Sequence, residues 1–454
     1  MPVLTRIALF LLPLVACAPP AVGDPDGEET DVETDAESDA TDETDIGETD
    51  QDSDEPVVPA PPCDAGIAAK MAGVGYATID AAIQASVPGD VVEICPGTWT
   101  ETLIVPHDGP LTVRSLSGSP DDTILDGQDR IRLISMRGSD PHLNVYDLTF
   151  TRGFYDGLTR DGSWDAIDVR GPVGASGSVA IQNCRFTDNG GGNAVYLASL
   201  DHVVISRSTF SGNSSIDEEY STLDLNGIKE GLLVEDCEFV DNAAASVGAA
   251  IALEPSGFPV GNPDFIFRRN RFVGNNIDYG HGSALSARMS YYGNPRRLII
   301  EDCTFEDNGH DRAAVDWSEL EGGGAVWIDA GLSPLEVEIT RTSFINNVGY
   351  LVSALGFSSW NGEERSHAVL RDVQVHGSAM PPYVWPPGEE EPGYAISAGG
   401  SLFRVEFDNV DFGTGPTANQ VLEFGGCRTD YDGVLDGVVL DFVEDPQGRC
   451  PWAP

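Results

Sequence analysis

The sequence predicts an all-β fold, a parallel β-helix in which short strands coil into stacked rungs. A nine-residue frame recurs in which an apolar residue stands five positions before a Phe. A further apolar residue always stands seven positions before it, so the apolar positions are spaced by two and then by three, as in a strand that turns a corner. Repetition at this scale is typical of a solenoid. The copies are Val145/Phe150, Ile181/Phe186, Ile205/Phe210, Val234/Phe239, Phe267/Phe272, Ile300/Phe305, Ile339/Phe344 and Phe407/Phe412, with Leu370/Val375 as a degenerate ninth.

Six of the nine frames are followed by an Asn, and a second short strand comes after the frame. The Asn stands three positions after the Phe, as Asn189, Asn213, Asn242, Asn275, Asn308 and Asn347. Asn tolerates left-handed turn geometry, and stacked Asn side chains form hydrogen-bonded ladders, so we expect both features at these positions. The predicted second strands include 194–197, 284–287, 325–328 and 395–398.

One outward position of the frame alternates in charge. Three residues before the Phe, consecutive copies carry Asp236, Arg269, Asp302, Arg341 and Asp372. Stacked rungs would place opposite charges directly above one another. Such exposed pairs contribute roughly 0–1 kcal/mol each, so we expect them to fix the order of the rungs more than to stabilise the fold.

The first 62 residues predict export and a tether. Residues 1–16 have a basic residue, Arg6, followed by an apolar run, as in a signal peptide. The segment Leu14–Cys17 resembles the lipobox of bacterial lipoproteins, which implies cleavage before Cys17, lipidation of its thiol and attachment to the outer membrane or cell surface. The alternative is an ordinary secretory signal. Residues 17–62 then form a predicted disordered stalk, with 17 acidic residues and no Lys or Arg.

The charge of the chain bounds its partners. Among 454 residues, 74 are acidic and 25 basic, for a formal net charge of −49. Such a chain would be repelled by phosphate backbones, so we expect no nucleic-acid partner. The expected partners are the membrane, through the lipid anchor, and a polysaccharide or surface glycan. We expect a monomer.

The segment after the stalk resembles a known superfamily. Residues 76–84 and 88–101 look like the opening segment of right-handed parallel β-helix proteins of the pectin-lyase-like superfamily. The resemblance implies an N-terminal cap and first rung over 63–100, a β-helix over 101–425 and a C-terminal cap or tail over 426–454. Ile79, Ala82 and Ile83 would form one apolar face of a helix that covers the open end of the coil. The superfamily includes lyases, hydrolases, esterases and surface proteins, so the fold does not carry the function.

The cysteines fall into two groups by position. Cys63 and Cys95 flank the predicted cap helix, and Cys427 and Cys450 flank the C-terminal tail, so we expect each pair to form a disulfide. Cys184, Cys237 and Cys303 share an inward position two rungs apart, about 9–10 Å, which exceeds the reach of a disulfide or of a shared metal. We therefore expect free buried thiols and no metal site.

Three motifs resemble catalytic motifs but are also explained by the repeat. Segments 97–101 and 264–267 resemble motifs of pectin methylesterases, although Phe265 and Phe267 occupy core positions of the frame. Gly280-His281-Gly282 resembles a polygalacturonase motif, but a turn explains it better, because Gly282 matches the Gly that precedes the second strand in other copies. A Ca²⁺-dependent lyase would need clustered carboxylates, and Asp188, Asp241 and Asp307 share one position that is also typical of turns.

The predicted loops carry aromatic residues that the coil does not require. They are Tyr155, Trp164, Tyr291, Tyr292, Trp317, Trp360, Tyr383 and Trp385. Aromatic faces on a rod could stack on sugar rings, or could pack the loops onto the coil. The leading hypothesis is non-catalytic glycan binding or adhesion, with no cofactor. The alternatives are a polysaccharide-degrading enzyme, pectate-lyase-like and Ca²⁺-dependent, or a structural spacer. An enzyme should show an acidic cluster with Arg or His and a carboxyl of strongly shifted pKa.

Overall fold

The computed structural model describes most of residues 63–349 and shorter segments beyond them. The described ranges are 63–153, 165–215, 221–255, 263–278, 280–289, 296–310, 324–331, 334–349, 352–358, 366–377, 394–399, 403–411, 420–423 and 439–442.

These residues form a parallel β-helix, which confirms the fold class predicted from the sequence. The strands of successive rungs stack in three columns that surround one hydrophobic core. Pairing is parallel and in register, so that Ile181 lies beside Ile205, which lies beside Val234. The apolar alternation of the frame therefore becomes a continuous apolar interior along the coil.

The long-strand stack contains the strands that open each frame. They are Val91–Ile94, Leu111–Ser115, His142–Tyr146, Ser178–Gln182, His202–Ser206, Gly231–Glu235, Asp264–Arg268, Arg296–Glu301, Leu335–Thr340, Ser366–His376 and Phe403–Asp411.

The Phe-strand stack follows each of these after one corner. Its strands are Gly97–Trp99, Thr123–Asp126, Thr149–Thr151, Arg185–Thr187, Thr209–Ser211, Glu238–Val240, Arg271–Val273, Thr304–Glu306 and Ser343–Ile345. In the last rungs the strands before and after the corner join as the single strands 366–376 and 403–411, in which the corner residues Asp372 and Asn409 keep left-handed φ of 54° and 56°.

The third stack is a separate 12-stranded sheet. Its strands are Leu103–Val105, Ile134–Arg137, Ile167–Arg170, Val195–Ala198, Leu223–Asn226, Ile251–Glu254, Leu285–Arg288, Val326–Asp329, Val352–Ser358, Tyr394–Gly399, Gln420–Glu423 and Val439–Phe442. Three two-residue strands, Ala243–Ala244, Asn276–Ile277 and Gly309–His310, form a small sheet of their own.

A short helix covers the N-terminal end of the coil, as predicted. Helix α1 spans Ile79–Ala85, and its Ile79, Ala82 and Ile83 are buried. The antiparallel strands Ala69–Met71 and Val74–Tyr76 pair beside it. Thr78 caps the helix, and the Glu101 carboxylate accepts hydrogen bonds from the first two backbone N–H groups of the helix. A carboxylate at this end is favoured because those N–H groups are unpaired and the helix dipole is positive there.

The frame Phe residues stack as parallel rings through seven consecutive rungs. Neighbouring ring centroids lie 4.6–5.0 Å apart from Phe150 to Phe344. This spacing equals the distance between paired strands, so each ring contacts the next without any displacement of the backbone.

The Asn residues form the predicted ladder, but the left-handed residue lies one position earlier. The Asn242 side-chain amide donates to Asn275 Oδ1 at 2.8 Å and to the Phe210 carbonyl at 3.0 Å. The Asn residues themselves are not left-handed. The residue before each of them is, with φ of 51° at Asp241 and 63° at Gly212. The ladder Asn is thereby turned inward, where burial removes competition from water.

The other corner of the rung also depends on one left-handed residue. It occupies the alternating-charge position, where φ is 54° at Asp236 and 52° at Arg269. The predicted pairing is present, because Arg269 donates to both carboxylate oxygens of Asp236 at 2.7 and 2.8 Å. Arg341 does the same to Asp302. These hydrogen bonds lower the pKa of both aspartates.

Candidate functional site

Polar side chains project from the outward face of the third stack. Asp168, Tyr196 and Asp224 lie in register on three successive rungs, each between two inward apolar residues. The rung spacing separates the backbones of Asp168 and Asp224 by roughly 9–10 Å, with the Tyr196 backbone between them. Together with Asp165, Arg170 and Arg137, these residues are called the acidic–arginine cluster below.

Asp168 is the ionic centre of this cluster. Its side chain is 0% exposed and accepts hydrogen bonds from Arg137 Nε and Nη2 at 3.0 and 2.8 Å and from Arg170 Nε at 2.5 Å. The Arg132 guanidinium lies 3.8 Å away. A buried carboxylate is costly unless it is paired and hydrogen-bonded, and the arginines supply both conditions.

Asp165 has one engaged and one unengaged oxygen. Its Oδ1 accepts from the Asn193 backbone N–H at 3.2 Å and from the Asn193 amide at 3.0 Å. The Ser221 N–H donates to Asn193 Oδ1, which fixes the orientation of that amide. Within the described residues, Asp165 Oδ2 has no hydrogen-bond partner, and Arg170 Nη2 lies 3.7 Å from it.

Burial makes Asp165 a weak acid. Its pKa is raised from 3.8 to about 7, first because burial disfavours the charged form and then because the Asp168 carboxylate repels a second negative charge. The hydrogen bonds from Asn193 and the charge of Arg170 oppose this rise without cancelling it. The residue is therefore able to hold a proton near neutral pH.

Tyr196 joins the two ends of the cluster. The Arg170 guanidinium carbon lies 4.3 Å from the centre of the Tyr196 ring, within range of a cation–π contact. Burial, with the charge of Asp224 as the next cause, raises the pKa of the Tyr196 hydroxyl to about 12. This side chain therefore stays protonated at physiological pH.

A shallow cavity lies elsewhere, on the outward face of the long-strand stack. Its volume is about 310 Å³, and it is lined by Arg297, Glu336, Val337, Glu338, His367, Val369 and Arg371. Its charged groups are paired: Arg297 with Glu338 at 2.5 Å, and His367 with Glu336 at 3.3 Å. These side chains are about a third to a half exposed, so the cavity lacks the dry, charged environment of the acidic–arginine cluster.

The cysteines of the described region behave as the sequence predicts. Cys63 and Cys95 form a disulfide with a Cα–Cα distance of 6.0 Å. Cys184, Cys237 and Cys303 are free and buried. Burial raises the pKa of each of these three thiols to about 12, so they are not reactive nucleophiles.

The motifs that resembled esterase sites have structural roles. In segment 97–101, Glu101 caps helix α1 and Trp99 donates to the Cys95 carbonyl at 2.8 Å. In segment 264–267, Phe265 and Phe267 are fully buried in the core. Asp264, which opens the second segment, is exposed and lies 4.0 Å from Arg297.

The remaining two motifs lie in turns. Gly280 and Gly282 have φ of 92° and 63°, and His281 between them stacks on the Trp327 ring at 4.4 Å. Asp188, Asp241 and Asp307 all have left-handed φ of 51–54°. Among the residues with described positions, no group of three or more His, Cys, Asp or Glu is placed to hold a metal ion.

Several predicted sites fall outside the described residues. They are the lipidation site Cys17, the pair Cys427 and Cys450, and all eight loop aromatics, Tyr155, Trp164, Tyr291, Tyr292, Trp317, Trp360, Tyr383 and Trp385. For the part of the chain that is described, no helix has the length and apolar character needed to cross a membrane.

The acidic–arginine cluster was missed in the sequence. Asp168, Tyr196 and Asp224 occupy equivalent positions in Ile167-Asp168-Val169, Val195-Tyr196-Leu197 and Leu223-Asp224-Leu225. An alignment of the second strands on their flanking apolar residues would have brought the three together. Counting positions from the frame Phe could not align these three residues, because the number of residues between the frame and the second strand changes from rung to rung.

The fold and the repeat define the class, a right-handed parallel β-helix protein. Residues 173–362 match the family model described as the right handed beta helix region. A search of curated proteins finds no match to the chain.

Solved structures with a similar course of the chain are glycan-active enzymes. One is the catalytic unit of a thermostable GH87 alpha-1,3-glucanase from Streptomyces thermodiastaticus, 15% identical, with a TM-score of 0.40 over 86% of this chain and 70% of that one. Another is a mannuronic acid specific polysaccharide family 6 lyase from human gut microbiota, 13% identical, with a TM-score of 0.27 over 81% of this chain and 89% of that one. At these values the likeness says nothing about the activity of this chain.

Proposed function

We propose that this protein hydrolyses a polysaccharide at the acidic–arginine cluster, with Asp165 as general acid and Asp224 as general base. The observation that carries the proposal is the buried Asp165 carboxyl, whose Oδ2 lacks a hydrogen-bond partner among the described residues and lies beside a fully paired Asp168. Pairs of carboxyl groups held in different environments are the usual machinery of glycoside hydrolysis.

The hydrogen bonds around Asp165 determine which oxygen carries its proton. Asn193 donates twice to Oδ1, so that oxygen acts as an acceptor. A protonated carboxyl in this setting must carry its hydrogen on Oδ2. The raised pKa of Asp165 keeps that hydrogen in place near neutral pH. The proton of Asp165 is therefore held on the oxygen that faces Arg170, whose Nη2 lies 3.7 Å from Oδ2.

The proposed reaction balances with these two carboxyl groups and one water. Asp165 Oδ2 gives its proton to the glycosidic oxygen as the bond from that oxygen to the anomeric carbon breaks. Water attacks the anomeric carbon and loses a proton to the Asp224 carboxylate. The products are two saccharides, a charged Asp165 and a protonated Asp224, and proton exchange with solvent restores the enzyme. Asp165 lies on the rung of Asp168, two rungs from Asp224, and the roughly 9–10 Å between these rungs leaves room for a sugar and a water between the acid and the base.

Ca²⁺-dependent β-elimination remains the alternative reaction. It would require a base to remove a proton next to the sugar carboxylate, and Arg can serve only if its pKa is lowered. Burial acts to lower the pKa of Arg170, but the charge and hydrogen bond of Asp168 together with the charge of Asp165 raise it overall, so this guanidinium stays charged. A general acid is the function that the cluster supplies most directly.

Non-catalytic glycan binding is the second candidate function. It is favoured by the engagement of Asp168, whose two oxygens are both held by arginines, and by the low exposure of Asp165 at 2%. Arg170 and Tyr196 could contact a bound sugar while the carboxyl groups only hold the arginines in place. The proposed location is the same in both cases: the bacterial surface, with a lipid on Cys17 and an acidic stalk as the tether.

The test is an assay of polysaccharide cleavage with conservative variants. Wild-type protein, Asp165→Asn, Asp224→Asn and the control Asp408→Asn, at an exposed residue paired with Arg371, are incubated with neutral and uronic-acid polysaccharides. We expect new reducing ends from the wild type and the control, and a loss of roughly 100-fold or more in both cluster variants, as expected for a lost general acid or base.

The products separate the alternatives. If the new ends carry unsaturated uronate and appear only with Ca²⁺, the reaction is β-elimination and not hydrolysis. If the protein is retarded by polysaccharide in affinity electrophoresis but cleaves none, the function is glycan binding and neither reaction takes place. Equal cleavage by wild type and Asp165→Asn would refute the role of Asp165.

A further inference from the structure

A row of aliphatic side chains runs along the outward face of the long-strand stack. Val204, Leu233, Ile266 and Ile299 lie in register on four consecutive rungs. Val204 is 40% exposed, and the other three are partly exposed. Single exposed aliphatic residues are common, but four stacked at about 4.8 Å form a continuous strip roughly 15 Å long. This strip is called the aliphatic row.

The row ends at a charged residue. On the rung after Ile299, the equivalent position is Glu338. On the rung before Val204, it is the smaller Ala180. The exposed aliphatic surface is therefore limited to these four rungs and does not extend over the whole face. A patch of this kind is suited to contact with one partner surface about four rungs long.

Charged side chains flank the row with opposite signs on its last two rungs. Asp264 precedes Ile266 by two residues and Arg268 follows it by two; Arg297 and Glu301 flank Ile299 in the same way. All four side chains point to the same face as the row, because residues two apart on a strand do so. The two members of each couple lie about 13 Å apart along one strand, too far to pair with each other.

A second copy of the chain complements this pattern. A two-fold axis parallel to the stacking direction places each residue of the row against itself in the second copy. The same rotation places the residues that precede the row in one copy against the residues that follow the row in the second copy. Asp264 then meets Arg268 of the second copy, and Arg297 meets Glu301 of the second copy. The symmetry repeats both contacts, which gives four pairs of opposite charge around an apolar centre.

We propose that the aliphatic row is a homodimer interface in which two β-helices lie side by side and parallel, rung against rung. The footprint is roughly 300–400 Å² per copy from the strand and rung spacings, less than the ~800 Å² of a standard interface. The dimer is accordingly weak and depends on concentration. This differs from the monomer that we expected from the sequence.

The existing ion pairs leave the flanking charges able to make these contacts. Arg268 already bonds Glu235 at 2.7 Å, and Glu301 lies 3.3 Å from Arg341. Arg268 is 35% exposed and Glu301 30% exposed at the side chain. Guanidinium and carboxylate groups each accept several partners, so a contact across the interface extends the network without breaking it.

The first test measures mass against concentration by sedimentation velocity of the full chain. Wild type should show a rising mean mass that Ile266→Asp abolishes. Arg268→Glu should weaken the dimer at least 10-fold, because it faces Asp264 of the second copy. Adding Asp264→Arg to Arg268→Glu should restore dimerisation. Failure of the double variant to recover while both proteins remain folded would overturn the proposed pairing.

The second test fixes the relative orientation of the two copies. Facing sheets lie about 10 Å apart, beyond the reach of a disulfide, so a short bismaleimide is the suitable crosslinker. Leu233→Cys and Ile266→Cys should each crosslink to themselves, whereas Ile104→Cys, which is exposed on the third stack and not on the long-strand stack, should not. Crosslinking only in a mixture of the two row variants would show antiparallel packing and overturn the parallel arrangement.

Discussion

Replacing Asp165 by Asn should change how the stability of the protein depends on pH. In the folded protein the pKa of Asp165 is about 7, against 3.8 for an exposed carboxyl. The folded state therefore binds one more proton than the unfolded state between these values, and stability falls as the pH rises through that window. About three units at 1.36 kcal/mol each give a loss of about 4 kcal/mol between pH 4 and pH 7 or above.

Asn fits the position of Asp165 without this penalty. It presents the same acceptor to Asn193, which itself occupies the equivalent position of the next rung. We therefore expect Asp165→Asn to match the wild type near pH 4 and to be more stable at pH 8. For a folded region of roughly 390 residues, the difference of about 4 kcal/mol corresponds to about 5 °C in melting temperature.

The assay is thermal unfolding followed by circular dichroism from pH 2 to pH 8, so that it covers the titration of both Asp165 and Asp302. Asp302→Asn is the control of opposite sign, because the hydrogen bonds from Arg341 lower the pKa of Asp302. The stability supplied by Asp302 is present above the unfolded pKa and is lost as the pH falls through the folded value. A difference between wild type and Asp165→Asn that stays constant across this range would refute the claim that burial keeps Asp165 protonated.

Three further predictions concern the framework. Asn242→Ala should destabilise the fold by about 3–5 kcal/mol in chemical denaturation, because it leaves the buried backbone and side-chain donors of Asn213 without their acceptor; the same change at the half-buried corner residue Asn183 should cost far less. Phe239→Ala should cost about 3–5 kcal/mol by removing one ring from the middle of the stack, and a cost equal to that of Val240→Ala would contradict the role of stacking. Titration of the unreduced mature protein should detect no thiol in the native state and three after denaturation, from Cys184, Cys237 and Cys303; five would show that Cys427 and Cys450 are not paired.

The interior of the coil was predictable because the sequence repeats it. Every rung must place an apolar residue at the same two positions before the Phe, so the core strands, the inward cysteines and the Asn ladder follow from spacing alone. The left-handed residues were harder to place. Asp241 and Asn242 are both residue types that tolerate positive φ. Only the three-dimensional ladder shows that the Asn side chain points inward and that the preceding Asp adopts the left-handed backbone conformation.

The candidate site was not predictable from the repeat, because the site departs from it. Asp165 occupies the position that Asn193 occupies on the next rung. The two side chains differ only in that Asp has a carboxyl group where Asn has an amide. What gives Asp165 its unusual acidity is the combination of burial and the Asp168 carboxylate. Both depend on which strands become neighbours, and the variable connections between the frame and the third stack hide that information.

The two left-handed corners have a consequence for how such a chain can change over generations. A typical rung supplies its own two left-handed corner residues, its own stacked Phe ring and its own ladder Asn, and it contacts only the rungs on either side. Removing residues 240–272, which joins Phe239 to Val273, should therefore give a shorter rod with an unbroken interior. A deletion that joins positions that are not equivalent in the frame would instead misplace the inward side chains at the junction. Duplication or loss of whole rungs can thus change the length of the rod while keeping every residue of the acidic–arginine cluster. The last of these, Asp224, lies on the strand that pairs with the removed Ile251–Glu254.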